Sequence, residues 1–260
     1  MANDADAKSK TGKVAKAEEG GFLETVKVVC QALLIALVIR TLFFQPFNIP
    51  SGSLVPTLLI GDYLFVSKYT YGYSKHSIPF SPNLFGGRVF GSEPKRGDIL
   101  VFKLPKDNST DYIKRVVGLP GDRVQLIDGI IHINNQPVKR ERLADYRQPD
   151  GWGRDSAVPQ YRETFPNGQT HVVIEREGDR GFWDNTAVYR VPDGHYFMMG
   201  DNRDNSTDSR DTTSVGTVPF ENIVGRAEII FFSIEEGASA WKLWEWPWTV
   251  RWSRIFSSIK

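Results

Sequence analysis

Three polar clusters in this chain carry residue types that could do chemistry. The first is Ser51-Gly52-Ser53, set between Pro50 and Pro56 in the stretch FNIPSGSLVPTLLIGDYL, Phe47 to Leu64. Serines flanked by Gly and Pro favour turns, and a hydroxyl presented on a tight turn is also a place for a nucleophile. The second is DYIKRVVGLPGD, where Lys114 interrupts an apolar run. At strand periodicity Tyr112, Lys114 and Val116 alternate with Ile113, Arg115 and Val117, so the two adjacent cations point to opposite faces. A sheet with one covered face sends one of them inward, and a buried lysine is costly unless it is neutral. The third is GDNRDNSTDSR, Gly200 to Arg210, a polar loop directly after the apolar stretch HYFMM.

Each cluster also has a plain structural account. Lys114 fits a solvated strand face, the usual setting for lysine. Asp201, Asp204 and Asp208 resemble the oxygen ligands of a calcium loop, but the spacing and the terminal Glu of an EF-hand are missing. Taken together, a serine in a turn and an inward lysine can form a nucleophile–base pair, because a desolvated amine near neutral pH can take the hydroxyl proton.

The surrounding segments read as short β-strands. DYLFVSKYTY (Asp62 to Tyr71), DILVFKL (Asp98 to Leu104), YIKRVVGL (Tyr112 to Leu119), RVQLI (Arg123 to Ile127), HVVIER (His171 to Arg176), HYFMM (His195 to Met199) and AEIIFFS (Ala227 to Ser233) are rich in β-branched and aromatic residues. Asp128-Gly129 between RVQLI and IIHIN predicts a type I′ hairpin. Val138 to Phe165 is polar and aperiodic, and an irregular excursion is expected there. The fold class is therefore mainly β, an antiparallel body with no long amphipathic helix after residue 44.

Ahead of that body, Phe22 to Phe44 (FLETVKVVCQALLIALVIRTLFF) is close to the length that spans hydrocarbon, with Lys27 and Arg40 near its ends. Residues after its apolar core lack the small-residue pattern of a cleaved leader. Residues 1–20 read as a solvated tail, and the lysines at 8, 10, 13, 16 and 27 favour a cytoplasmic N-terminus. The tail WKLWEWPWTVRWSRIFSSIK, Trp241 to Lys260, mixes Trp with Arg and Lys as segments at a bilayer interface do.

Composition excludes several alternatives. With 32 Lys+Arg against 31 Asp+Glu in 260 residues, the net charge is +1, which argues against a nucleic-acid partner. The one cysteine, Cys30, lies in the apolar run, so no disulfide within the chain is possible. The four histidines show no paired ligand spacing, and neither a metal nor another cofactor is expected.

PSGSLVPTL (Pro50 to Leu58), RGDILVF (Arg96 to Phe102), YIKRVVGLPGD (Tyr112 to Asp122) and GDNRDNSTDSR, in this order behind an N-terminal anchor, resemble the bacterial type I signal peptidases. Those are membrane-bound Ser/Lys proteases that remove signal peptides from exported preproteins. Leu54 stands where the family often has Met, and one spanning segment is evident where some members have two. The resemblance implies that Ser53 is the nucleophile and Lys114 the general base. Ser51 would add its hydroxyl, beside the Ser53 backbone N–H, to an oxyanion hole. Ser206 would orient the lysine amine, and Asp208 and Arg210 would form a structural ion pair. Phe47, Ile49, Leu54, Leu58, Tyr112 and Ile113 would line shallow pockets for the small residues of an Ala-X-Ala site.

The resemblance further implies a tail at 1–21, an anchor at 22–44, a catalytic domain at 45–125 and 192–260, and an inserted β domain at 126–191. The chain would cross the bacterial inner membrane once, with its catalytic body on the periplasmic face. The lipid bilayer and preproteins are the implied partners. Rival readings are a specialised Ser/Lys peptidase of conjugative transfer and a non-enzymatic membrane-anchored β module.

Overall fold

The computed structural model describes residues 4–149 and 155–259. Helix α1, Asp4–Leu42, is followed after one residue by strand β1, Phe44–Asn48. The helix therefore begins well inside the stretch read as a tail and ends two residues before Phe44. Its segment Gly21–Leu42 is long and apolar enough to cross a membrane. Phe44 belongs instead to β1, pairing with Ser67.

The body is built from β2 (Asp62–Ser67), β3 (Ile99–Lys103), β4 (Asp111–Gly118), β5 (Arg123–Ile127), β6 (Ile130–Ile133), β7 (Gln136–Pro137), β8 (Lys139–Arg142), β9 (Tyr146–Pro149), β10 (Asp155–Val158), β11 (Gln160–Thr164), β12 (Thr170–Ile174), β13 (Tyr189–Arg190), β14 (His195–Met199), β15 (Val218–Pro219) and β16 (Ile223–Ser233). A seven-stranded sheet runs in the order β1-β2-β16-β3-β4-β14-β15. Its pairings are all antiparallel. Smaller sheets of four (β13-β5-β6-β7), three (β12-β11-β8) and two strands (β10-β9) cover the segment between β4 and β14.

The β5–β6 hairpin turns through Asp128 (φ 49°) and Gly129 (φ 72°), both positive as a type I′ turn requires. The expected irregular excursion from 138 to 165 holds four strands instead. Its alternation is hidden because polar side chains are used across the strands: Arg162 faces Glu141 at 3.9 Å, and the Arg140 guanidinium lies 3.6 Å from the Tyr161 ring centre. A division at residue 125/126 would cut β5, whose partners are β6 and β13.

Two apolar clusters frame the site. Leu54 and Leu58 pack with Leu64, Val66, Ile99 and Val101 beneath the first. Val117, Phe197 and Met199 pack with Val124, Leu126 and Ile131 in the second, so the four-stranded sheet shares a core with β4 and β14. Strand β4 is thus enclosed on both faces from Lys114 onward.

Candidate active site

Residues 49–61 cross from β1 to β2 and carry the serines out of the sheet. The turn at Ser51–Ser53 is pinned at its base: Val55 N–H donates to Gly52 O at 3.2 Å and Leu58 N–H to Leu54 O at 2.9 Å. Leu54 and Leu58, at 1% and 0% exposure, anchor it from below. They therefore form the floor beneath the site and do not line an open pocket, because the side chain after Ser53 turns into the core while Ser53 turns out.

Lys114 Nζ donates to Ser53 Oγ at 2.7 Å, and both residues are buried, at 4% and 6% exposure. They meet because β4 aims Lys114 at the face over which the serine turn folds. Burial lowers the Lys114 pKa from 10.5 to about 8; the Asp208 and Asp201 carboxylates oppose that and Arg210 reinforces it. Arg115 is not that reinforcing charge. It lies on the opposite face of β4, equally buried, with Nε and Nη2 on the two oxygens of Asp201 at 2.8 and 2.7 Å. Both cations of the strand are therefore inside, Lys114 with its pKa lowered by desolvation and Arg115 paired to a bidentate carboxylate.

The loop 200–210 closes the site from the other side. Asn202 N–H donates to Ser53 O, and its side-chain amide to Gly52 O, both at 3.0 Å. Arg210 grips Asp208 through Nε and Nη2, each at 2.9 Å, and Asp208 in turn accepts from Gly200 N–H at 3.0 Å. A Cβ at Gly200 would collide with Ser53 O and the Ser206 side chain, so only glycine permits this approach.

Ser206 does not contact the Lys114 amine. Its hydroxyl is enclosed over Gly200 and makes no hydrogen bond, although it sits near enough to Asp208 to help hold that carboxyl below its ordinary range. Asn202, Gly200 and Arg115 escaped the sequence reading, since nothing local in DNRDN marks which polar side chain reaches a turn 150 residues earlier.

An open groove of about 400 Å³ runs over the pair, lined by Pro50, Ser51, Ser53, Ile113, Lys114 and Asn205 among others. A smaller recess of about 180 Å³ continues it along Phe47, Ile49, Val101, Tyr112 and Ile113. Neither the Ser51 hydroxyl nor the Ser53 N–H is engaged by another described residue. The arrangement offers a serine oxygen, an amine able to take its proton, two donors beside it and an open groove continued by a smaller recess with apolar walls. Histidine plays no part in it.

The family model described as "Signal peptidase, peptidase S26" matches residues 22–232. The chain belongs to this family. It is similar to a signal peptidase I of Rickettsia typhi, 43% identical over 96% of this chain and 96% of that protein, and to one of Rickettsia conorii, 42% identical over 98% and 97%. A solved signal peptidase I of Enterococcus faecalis V583 is 24% identical, with a TM-score of 0.30 over 52% of this chain and 97% of that one. As a member of this family the chain is a membrane-anchored peptidase that cleaves signal peptides, and the readings as a non-enzymatic module or a conjugative-transfer enzyme give way.

Proposed function

We propose that this signal peptidase works through a Ser53/Lys114 dyad, an assignment carried by the 2.7 Å hydrogen bond between Nζ and Oγ. The neutral Lys114 amine takes the Ser53 proton as Oγ attacks the scissile carbonyl. The Ser51 hydroxyl and Ser53 N–H face the oxygen that becomes negative, each donor there contributing roughly 3 kcal/mol. The resulting ammonium passes its proton to the leaving amine. A water that then loses a proton to Lys114 hydrolyses the acyl-enzyme. Ser206, whose hydroxyl lies near Asp208, can turn toward Nζ during this cycle.

The substrates are preproteins with small residues before the cleaved bond. Ile113 narrows both the groove and its recess, which supports an Ala-X-Ala preference. The lysines ahead of the anchor support a single pass through the bacterial inner membrane, with a cytoplasmic N-terminus and the catalytic sheet on the periplasmic side. The insertion between β4 and β14 is treated as a variable accessory region of that catalytic domain.

The sheet face beside the anchor also meets lipid. Phe44, Phe65 and Phe231 form a ring ladder, with Phe65 and Phe231 4.3 Å apart, and Trp241, Trp244 and Trp248 stand exposed beyond it. Quenching of tryptophan fluorescence by quencher-bearing lipids tests this contact, and unquenched indoles would reject it.

The decisive experiment incubates a signal-peptide-bearing preprotein with the purified chain and with Ser53→Ala. Cleavage after the small-residue site by the first and none by the second is expected. Cleavage by well-folded Ser53→Ala would remove Ser53 from the chemistry.

A further inference from the structure

Away from the dyad, three carboxylates converge from distant parts of the chain. Glu175 follows β12, Asp184 lies in the turn before β13, and Asp204 belongs to the loop that supports Ser53. One oxygen of each falls within 4.8 Å of the others. Glu175 is fully buried and neither of its oxygens takes a hydrogen bond, and the buried Asp184 leaves Oδ1 without one.

The nearby guanidiniums account for them only in part. Arg203 spends its two Nη atoms on Glu163, at 2.9 and 2.5 Å, and reaches Glu175 only at 3.9 Å. Arg140 bonds Asp179 at 2.9 Å and stacks on Tyr161, leaving a 3.3 Å contact to Oε1 of Glu175. Glu163, Glu175, Asp179, Asp184 and Asp204 outnumber the two guanidiniums, Arg140 and Arg203, that lie among them.

We infer that Glu175, Asp184 and Asp204 form a binding site for a calcium-type divalent cation, separate from the catalytic dyad. All three donors are hard oxygens. A calcium ion with oxygens at about 2.3–2.6 Å separates opposite ligands by up to roughly 5 Å, whereas magnesium needs a tighter octahedron. The calcium-loop likeness noted in GDNRDNSTDSR involves different residues. Asp201 and Asp208 are taken by Arg115 and Arg210, while Asp204 finds its partners outside the loop. The ion would join the end of β12 and the 181–184 turn to the loop whose Asn202 holds Ser53.

The test uses the full-length chain in detergent, stripped with chelator, and the metal alone. Calcium should raise the melting temperature saturably, with magnesium weaker. Terbium should give indole-sensitised luminescence, since Trp183 adjoins Asp184. Glu175→Gln and Asp184→Asn should lose both responses, while Asp179→Asn keeps them. Glu175→Gln should also melt higher than the parent in chelator, because it removes the uncompensated charge; this separates a lost site from a lost fold. No calcium shift and no luminescence in the parent, or equal responses in both site variants, would overturn the inference.

Discussion

Asn202 holds Ser53 by the main chain: its own N–H binds the Ser53 carbonyl and its side-chain amide binds the Gly52 carbonyl, each at 3.0 Å. Ser53 is thereby located through two main-chain carbonyls, its own and that of Gly52. Asn202→Ala removes one such bond, worth about 1 kcal/mol. A kcat lower by roughly fivefold with KM nearly unchanged is expected, from turnover assays on a preprotein. A change confined to KM would place Asn202 in substrate binding instead.

Ser51→Ala should cost about 10²–10³ in kcat, because a donor aimed at the oxyanion acts in the transition state. Ser51 is exposed in the groove, so the fold is unaffected, and circular dichroism should match the parent.

Protonation gives the third prediction. With the Lys114 pKa near 8 and the neutral amine active, kcat/KM should fall about tenfold per pH unit below that value. An acid limb near pH 4 would point to a carboxylate base. The same depression affects stability. Between pH 8 and 10.5 the unfolded chain binds more protons at this lysine than the folded one, so stability rises with pH across that window. Below it the full penalty is present, on the order of 3 kcal/mol. Lys114→Met should therefore be inactive and melt higher than the parent at pH 7.

On the other face of β4 the sign reverses. Arg115 and Asp201 are a fully buried bidentate pair, and removing one partner strands the other. Arg115→Ala should lose roughly 3–5 kcal/mol in denaturant unfolding.

Ile113→Ala should widen the recess next to Lys114 and admit residues larger than Ala before the cleaved bond. Packing against an extra methylene discriminates by only ~1–3 kcal/mol. Mapping cleavage sites by mass spectrometry on substrates varied at that position checks it, and an unchanged preference would exclude Ile113 from the pocket.

The strands that carry the site were legible because their side chains alternate or are uniformly apolar, as in β3 and β14. The pairing of Ser53 with Lys114 was legible only in combination, since either residue alone suits a turn or a surface. What stayed hidden depends on packing at long range. Whether Leu54 faces a pocket or the core is decided by which side of the serine turn meets Leu64 and Val66. That Arg115 is buried as deeply as Lys114 follows from Asp201 lying across the sheet. Strands β8 and β11 concealed themselves because their polar residues serve one another across the ladder.

Only Phe43 separates the last residue of α1 from the first of β1, and the Tyr73 hydroxyl caps the carbonyl of Leu42 at 2.8 Å. There is no slack in that joint. With α1 in the bilayer, β1 acts as a short tether: five residues of extended chain, at most about 17 Å, bound how far from the lipid the serine turn can begin. The joint therefore keeps Ser51 and Ser53 within reach of a signal peptide held in the same bilayer, with no hinge to carry them away from it.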